Sequence, residues 1–256
     1  MWCRRSLILM RHEIHVTAKD AAPFAIVIMI PLAMAFSKST LGSALHEFGY
    51  RHANGSEQVV PGLSILMCFM MITFVGESFF REHRWGTWER LRASALSPLQ
   101  ITLAKMLPVY LYFVGSLILL FAIGFRFLGL PWPREPLAML PLILSLPVCL
   151  VTLGIALISF SRSNMQLNAM ADIAGLALAG LGGALVPIET LPSWMQGIAG
   201  VAPPYWAMRG FRSLFLDHAG AGAVVLPTLV LIGFSVAFGS FALWRFRFDD
   251  SRSSFR

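Results

Sequence analysis

Long apolar runs are the feature that most constrains the fold of this chain. Six stretches of aliphatic and aromatic residues, most of them about as long as a helix that crosses a bilayer, alternate with short polar segments. Of the 256 residues, 57% are hydrophobic and only 13% are charged, whereas about 25% of the residues in a soluble domain are charged. The sequence therefore predicts an all-α integral membrane protein with six transmembrane helices in a single domain.

The breaks between apolar runs predict the boundaries of these elements. The Ser97-Pro98-Leu99-Gln100 segment combines an N-cap serine with a proline at the first helical position, which is typical of a helix start. Polar connections are expected at 37–58 and 161–168. The predicted elements are an amphipathic interfacial helix at 1–20, spans at 21–36, 59–80, 98–125, 137–160, 169–186 and 221–244, a charged segment at 81–97, a broken apolar segment at 187–220 and a tail at 245–256.

The distribution of basic residues predicts the orientation in the membrane. With six spans, both termini lie on one side, and 14 of the 20 Lys and Arg residues fall on that side. Lys105, near the start of the third span, is counted among them because its side chain is expected to reach back to the lipid headgroups. Basic residues are enriched on the cytoplasmic face. We therefore expect cytoplasmic termini, and the net charge of +7 requires no nucleic-acid partner.

A charged island, Arg81–Gln100, separates the second and third apolar runs. Its apolar side chains recur every three or four residues and form one stripe, which predicts a short helix on the membrane surface; they are Trp85, Trp88, Leu91 and Ala95. Two interpretations are open: an arginine-rich topological anchor, or a docking surface. Glu82 and Glu89 favour docking, because anchoring does not require acidic residues among the arginines.

The segment from Val186 to Leu216 is too polar and too rich in proline to cross the bilayer as one helix. Its prolines divide it into two short pieces that could dip into the outer leaflet and return, and so cap the pathway. The alternative is an ordinary external loop with aromatic anchors. Glu189 and Arg209 form an exit ion pair or are separately solvated. The residues expected at the interface are Trp194, Tyr205 and Trp206.

The fifth predicted span carries small residues at every fourth position, which would allow another helix to approach closely. These residues are Ala171, Gly175, Ala179 and Gly183. Asp172 lies near the inner end of the same span, and Glu77 near the inner end of the second. Each acid is either a functional group of the pathway or a charge at a helix end.

Several chemistries have no counterpart in the sequence. The chain has no G-x-x-x-x-G-K-[ST] segment to cradle ATP phosphates, and His12-Glu13-Ile14-His15 lacks the spacing of a zinc protease. Cys3, Cys68 and Cys149 are too scattered for a disulfide framework or a metal site, and the latter two are expected to pack in apolar runs. No catalytic residues, no metal ligands and no cofactor of this chain are therefore expected.

Two regions of the chain resemble ABC-2 type transporter permeases. The island, with Glu82, Gly86-Thr87, Glu89 and Leu91 followed by Ser97-Pro98 and Lys105, is similar to the first cytoplasmic loop of that family. The region 182–215, GGALVPIETLPSWMQGIAGVAPPYWAMRGFRSLF, is similar to the exit of the family's fifth span. The two likenesses occur in the family's order and spacing, and together they cover most of the chain.

The resemblance implies roles for particular residues. In the family, the first cytoplasmic loop forms a coupling helix that docks into a nucleotide-binding subunit. The residues that would take this role here are Glu82, Gly86, Thr87, Glu89, Arg90 and Leu91. Residues 1–20 would form the family's connecting helix, the 161–168 link a smaller second contact, and the 187–220 segment the re-entrant helices.

The resemblance also implies a function. The chain would be the permease subunit of a bacterial inner-membrane exporter for an amphiphilic drug, lipid or lipid-linked glycan. A second permease subunit and two ATPase subunits would complete the assembly, and ATP and Mg would bind to those ATPase subunits. An ATP-independent secondary carrier or channel is the alternative. A membrane-embedded enzyme would need a polar catalytic cluster, which the sequence does not contain.

Overall fold

The computed structural model describes residues 22–86, 98–161 and 163–245, and within these ranges the chain forms helices and turns without β-strands. The expected connecting helix at 1–20 and most of the island lie outside the described residues. Nine α-helices are described: α1 (Ala22–Glu47), α2 (Ser56–Met70), α3 (Thr73–Arg84), α4 (Pro98–Phe127), α5 (Leu140–Ile158), α6 (Asn164–Leu181), α7 (Ser193–Ile198), α8 (Pro203–Phe215) and α9 (Gly222–Arg245).

Four helical segments in the described ranges are long and apolar enough to cross a membrane: Ser56–Ser78, Gln100–Phe127, Pro136–Ile158 and Gly222–Arg245. They correspond to the second, third, fourth and sixth predicted spans. The all-α membrane class is therefore confirmed, whereas the count of six spans stays a prediction. Helices α1 and α6 occupy the positions of the first and fifth predicted spans.

The first helix is longer than the sequence predicts. The polar connection expected from residue 37 is helical as far as Glu47. Its hydroxyl groups are satisfied within the helix, because Ser37 donates to the carbonyl of Ala33 at 2.9 Å and Ser43 to that of Ser39 at 3.1 Å. Lys38 donates to the Leu128 carbonyl at 2.6 Å, at the end of α4. Polar residues that find such partners do not interrupt a helix.

The second predicted span is divided into two helices. Helix α2 ends at Met70, and α3 begins at Thr73. Between them, the amide of Ile72 donates to the carbonyl of Phe69 at 3.1 Å, which tightens the chain into a turn. Residues 81–84, assigned from sequence to the island, belong to the last turn of α3. The lower part of the predicted span is thus a separate short helix that leads directly into the island.

Helix α6 begins five residues before the predicted fifth span. The hydroxyl of Ser163 accepts a hydrogen bond from the amide of Gln166 at 3.2 Å and so caps a helix that starts at Asn164. Most of the link predicted at 161–168 is therefore helical. The helix ends at Leu181, and Gly183, in the left-handed region at φ 75°, turns the chain. Gly183 thus lies beyond the helix.

The broken segment after α6 consists of short helices, as its prolines suggest. The 3₁₀ turns at Ile188–Thr190 and Ala199–Val201 flank α7, and Pro203 and Pro204 open α8. One face of α8 is buried, and the rings of Phe211 and Phe121 lie 4.8 Å apart, centre to centre. Helix α8 therefore packs into the helical core, alongside α9 and against α2.

Candidate functional site

The charged island is flanked by two helices that are joined by a buried hydrogen bond. Lys105 in α4 is fully buried and donates from Nζ to the carbonyl oxygen of Ser78 in α3 at 2.9 Å. The expectation that Lys105 reaches the lipid headgroups is therefore wrong. Its helix packs against α3, and the buried ammonium is held by a backbone carbonyl of α3 instead of reaching the surface.

A second polar contact joins α3 to α6. Asn164 at the start of α6 donates from Nδ2 to Oε2 of the half-buried Glu77 at 2.8 Å. Glu77 and Ser78 are adjacent, so α3 is attached to α6 and to α4 through neighbouring residues. We call this arrangement the α3 clamp, defined by Glu77, Ser78, Lys105 and Asn164. It lies within two turns of the island.

Of the residues assigned to the coupling helix, the structure describes only two. Glu82 belongs to the last turn of α3. Gly86 adopts a left-handed conformation at φ 63° and is exposed, and a side chain at this position would meet nothing within 4 Å. Thr87, Glu89, Arg90 and Leu91 lie outside the described residues, so their role stays a prediction. Helix α3 ends at Arg84, two residues before Gly86.

The opposite end of the helices contains a second polar cluster. Arg212 donates from Nη1 and Nη2 to the two carboxylate oxygens of Glu189, at 3.1 and 2.8 Å. Of the two alternatives left open for Glu189 and Arg209, the ion pair is therefore wrong. Arg209 is exposed and lies over the ring of Trp206, with 5.5 Å between the guanidinium carbon and the ring centre. The two arginines are three residues apart on α8, and only Arg212 is oriented toward Glu189.

Tyr50, in the connection between α1 and α2, completes this cluster. Its hydroxyl donates to Oδ1 of Asp217 at 3.1 Å, and the guanidinium of Arg212 lies 6.0 Å from the centre of its ring. Burial raises the pKa of the Tyr50 phenol above its ordinary value, and the neighbouring Asp217 carboxylate raises it further. Tyr50 and Asp217 line a cavity of about 310 Å³ together with Glu189 and Arg212.

Two of the three aromatic residues expected at the outer interface lie near this cluster, since Tyr205 lines its cavity and Trp206 contacts Arg209. Trp194 in α7 is 65% exposed. Trp206 donates from Nε1 to the carbonyl of Gly200 at 2.8 Å, and the ring of Tyr205 meets it edge to face with 5.4 Å between centres. These contacts fix the start of α8 against the turn at Ala199–Val201.

The small residues of α6 are found at a close helix contact. Ala171, Gly175 and Ala179 are buried, and a Cβ atom at Gly175 would lie 3.0 Å from Cβ of Phe69 in α2. Gly183 is also buried, but it lies in the turn after the helix. Asp172 is exposed on the other face of α6. These positions describe packing, and they do not bring Asp172 together with Glu77.

Sequence reasoning missed the partners in both clusters. Arg212, Tyr50 and Asp217 are separated by up to 167 residues, and no local pattern pairs them. Asn164 follows Ser163 at a helix start, and this cap was the one local signal that could have placed it correctly. In the described ranges, no three His, Cys, Asp or Glu side chains are arranged to hold a metal ion.

The family comparison covers the island and all of the far cluster except Asp217. The ABC-2 type transporter family matches residues 4–216. This chain belongs to the ABC-2 type transporter family. The resemblance inferred from the island and from the 182–215 region is thereby confirmed, and the chain is a multi-pass membrane protein of the ABC-2 permease type.

Curated ABC-2 relatives are similar over most of the chain. It is 28% identical over 191 residues to the linearmycin resistance permease protein LnrN of Bacillus subtilis, which covers 73% of this chain and 48% of that protein. It is 30% identical over 182 residues to the inner membrane transport permease YhhJ of Escherichia coli. It is 27% identical over 184 residues to the probable multidrug ABC transporter permease YbhS of the same organism. Each of these two alignments covers 70% of this chain and 48% of the relative. The chain thus spans about half the length of the curated relatives it matches.

Proposed function

We propose that this chain is the permease subunit of an ATP-driven exporter of amphiphilic molecules. The observation that carries the proposal is the family match over residues 4–216, which includes the island and the helices on both sides of it. The chain would form the membrane pathway, while ATP and Mg would bind to a separate nucleotide-binding subunit.

The proposed topology places the island on the cytoplasmic side. Six spans, with α1 and α6 as the first and fifth, put both termini and the island on the side that carries 14 of the 20 basic residues. The cluster of Tyr50, Glu189 and Arg212 would then face outward. The inner membrane of a bacterium fits the name of the relative YhhJ, an inner membrane transport permease.

The α3 clamp supplies a route for mechanical coupling. A partner that closes on the island would move α3, because α3 leads directly into it. The Ile72 turn separates α3 from α2, so α3 can tilt while α2 stays packed. The bond between Glu77 and Asn164 would transmit this movement to α6, and the bond between Lys105 and Ser78 would transmit it to α4.

The proposed assembly contains two permease subunits and two nucleotide-binding subunits. Six helices are too few for the usual pathway of such an exporter, so we expect a second copy or a homologous chain beside this one. The surrounding lipid would contact exposed apolar side chains such as Ile173, Leu176 and Leu243.

The cargo class is proposed from the relatives. LnrN is named for linearmycin resistance, and YbhS is named as a probable multidrug transporter permease. An amphiphilic, drug-like cargo fits both names better than a glycan does. The chain would be one part of an ATP-hydrolysing translocase without hydrolysing ATP itself.

Co-purification with the cognate nucleotide-binding subunit, followed by ATPase assays with and without an amphiphile, tests this proposal. We expect hydrolysis that the amphiphile stimulates and that the double variant Glu82→Ala/Glu89→Ala loses, while membrane insertion stays intact. The control is Glu47→Ala, which removes an exposed glutamate at the end of α1. Transport by purified chain alone, driven by an ion gradient without ATP, would support the secondary carrier instead.

A reporter fused after Arg256 tests the topology separately. We expect a cytoplasmic signal from this fusion. A periplasmic signal would contradict the count of six spans, whatever the ATPase assay shows.

A further inference from the structure

Two cavities form one groove between α5 and α9. The outer cavity, about 600 Å³, and the inner cavity, about 510 Å³, share the lining residues Pro141 and Thr228. The lining runs from Glu135 through the 3₁₀ turn Pro136–Met139 and along α5 as far as Thr152. We call this the α5/α9 groove. It opens on the outer surface of the helices and is separate from the α3 clamp and from the Tyr50 cluster.

The walls of the groove are apolar, and its outer mouth is acidic. Exposed Leu137, Leu229 and Val236 stand along it, over a floor that includes buried Ala138 and Val224. Glu135 is the one charged residue among the lining residues of the two cavities. Its Oε2 accepts a hydrogen bond from the Ala221 amide at 2.9 Å, at the start of α9. Within the described ranges, no ion pair involves Glu135.

Two hydroxyl groups inside the groove have no hydrogen-bond partner. Ser145 is 6% exposed, and among the described side chains the hydroxyl oxygens of Ser145 and Thr228 are buried without a partner. Two other hydroxyls of the groove, those of Ser235 and Thr152, are satisfied within their own helices. Ser235 donates to the carbonyl of Leu231 at 2.8 Å, and Thr152 donates to that of Val148 at 3.0 Å. Unpartnered buried hydroxyls are costly, and a ligand that brings an acceptor would relieve this cost.

We propose that the α5/α9 groove binds an amphiphilic cation, with its positive head at Glu135 and its apolar body between α5 and α9. The carboxylate at the mouth favours a positively charged head, because attraction stabilises a bound cation there and repulsion destabilises a bound anion. Ordinary acyl chains carry no polar atom that could reach Ser145 and Thr228. The best ligand therefore has a carbonyl or ether oxygen within its apolar body. This assignment deepens the proposed function by naming the cargo class, and it rests on that function.

Photolabelling of the full chain, in its co-purified assembly and in phosphatidylcholine nanodiscs without ATP, tests the groove. The probe is hexadecylamine carrying a diazirine on its chain, and the matched anion is the hexadecanoate with the same diazirine. We expect the amine to label peptides of α5 and α9 more strongly than the anion does. Glu135→Gln keeps an oxygen that can accept from Ala221, and should reduce amine labelling roughly threefold. Glu47→Gln, at an exposed position outside the groove, should leave it unchanged.

The hydroxyl groups are tested with a third probe, the diazirine amine with a keto group in the middle of its chain. We expect this probe to label the groove roughly fivefold better than the plain amine. The double variant Ser145→Ala/Thr228→Val should lose this preference. The variant Ser235→Ala should retain it, because the Ser235 hydroxyl is already bonded within α9.

Equal labelling by the amine and the hexadecanoate, or amine labelling that Glu135→Gln does not reduce, would overturn the proposal. So would crosslinks between two copies of the chain at α5 and α9, since a second copy would then occupy the groove. The ATPase activity of the same preparation is measured separately. If labelling is selective for the cation but the amphiphile does not stimulate ATP hydrolysis, the groove remains a binding site and the proposal of ATP-driven export is wrong.

Discussion

Lys105 and Ser78 lie on either side of the charged island, and a hydrogen bond of 2.9 Å from the buried ammonium to the Ser78 carbonyl joins them. This bond joins α3, which leads into the island, to α4, which follows it. A neighbouring bond from Asn164 to Glu77 attaches the same helix to α6. The helices on either side of the island are therefore held by polar contacts to each other and to α6.

We expect Lys105→Met to destabilise the protein and to weaken coupling. The variant keeps a long apolar stem but removes a charge-assisted hydrogen bond, which contributes about 1.5–3 kcal/mol. The midpoint of unfolding in detergent should fall, and amphiphile-stimulated ATP hydrolysis by the assembly should fall with it. Leu103→Met, at a 60% exposed position on the same helix, is the control and should change neither. An unchanged midpoint for Lys105→Met would show that the bond does not hold α3 to α4.

The two arginines of α8 should respond differently to mutation. Arg212→Gln breaks the two-bond pair with Glu189, which is partly buried, and we expect a loss of about 1 kcal/mol in unfolding free energy. Arg209→Gln removes only an exposed contact with Trp206 and should have little effect. The exchange Glu189→Arg/Arg212→Glu should recover part of the loss. If Arg209→Gln is the more destabilising of the two single variants, the observed pairing is wrong.

Alkaline pH should weaken the cluster at Tyr50. The pKa of its phenol is raised above the ordinary value of 10.0 by burial and by the Asp217 and Glu189 carboxylates, against the opposing charge of Arg212. A raised pKa means that the stabilising contribution is complete below pH 10 and is lost as the pH rises through the pKa of the folded state. The unfolding midpoint of wild type should therefore approach that of Tyr50→Phe above pH 10. A difference between the two that is constant with pH would contradict this.

The contact between α2 and α6 should not tolerate a large residue at Gly175. A Cβ atom there would already lie 3.0 Å from Phe69, so Gly175→Leu forces the helices apart and should cost about 1–3 kcal/mol. Ala177→Leu places the same side chain on the exposed face of α6 and serves as the control. Thermal stability in detergent measures both variants. If Gly175→Leu is as stable as Ala177→Leu, the stripe of small residues faces lipid.

The element types could be predicted from sequence because they depend on local signals. Apolar length predicted the four helical segments that are long enough to span, and the Pro98 signal predicted the start of α4. Helix ends were less predictable. The extension of α1 to Glu47 depends on hydrogen bonds from Ser37, Ser43 and Lys38, and the last of these reaches a carbonyl 90 residues away.

The site contacts depended on tertiary structure and could not be read from spacing. From its position near a span end, Lys105 is expected to reach the headgroups, but in the folded chain its ammonium is bonded to the Ser78 carbonyl of α3. Arg209 and Arg212 are equivalent in sequence, and only the rotation of α8 decides which one meets Glu189. Burial of a charge and choice between neighbouring partners are both properties of the folded chain.

The central claim is that the island docks on a separate ATPase subunit, and photo-crosslinking in the co-purified assembly tests it most directly. A photoreactive phenylalanine replaces Trp85 in the island, 56% exposed, or Trp194 at the opposite end, 65% exposed. We predict a covalent adduct with the nucleotide-binding subunit from position 85 and none from position 194. An adduct from position 194 alone, or crosslinks from position 85 to lipid only while the ATPase subunit co-purifies, would contradict the account.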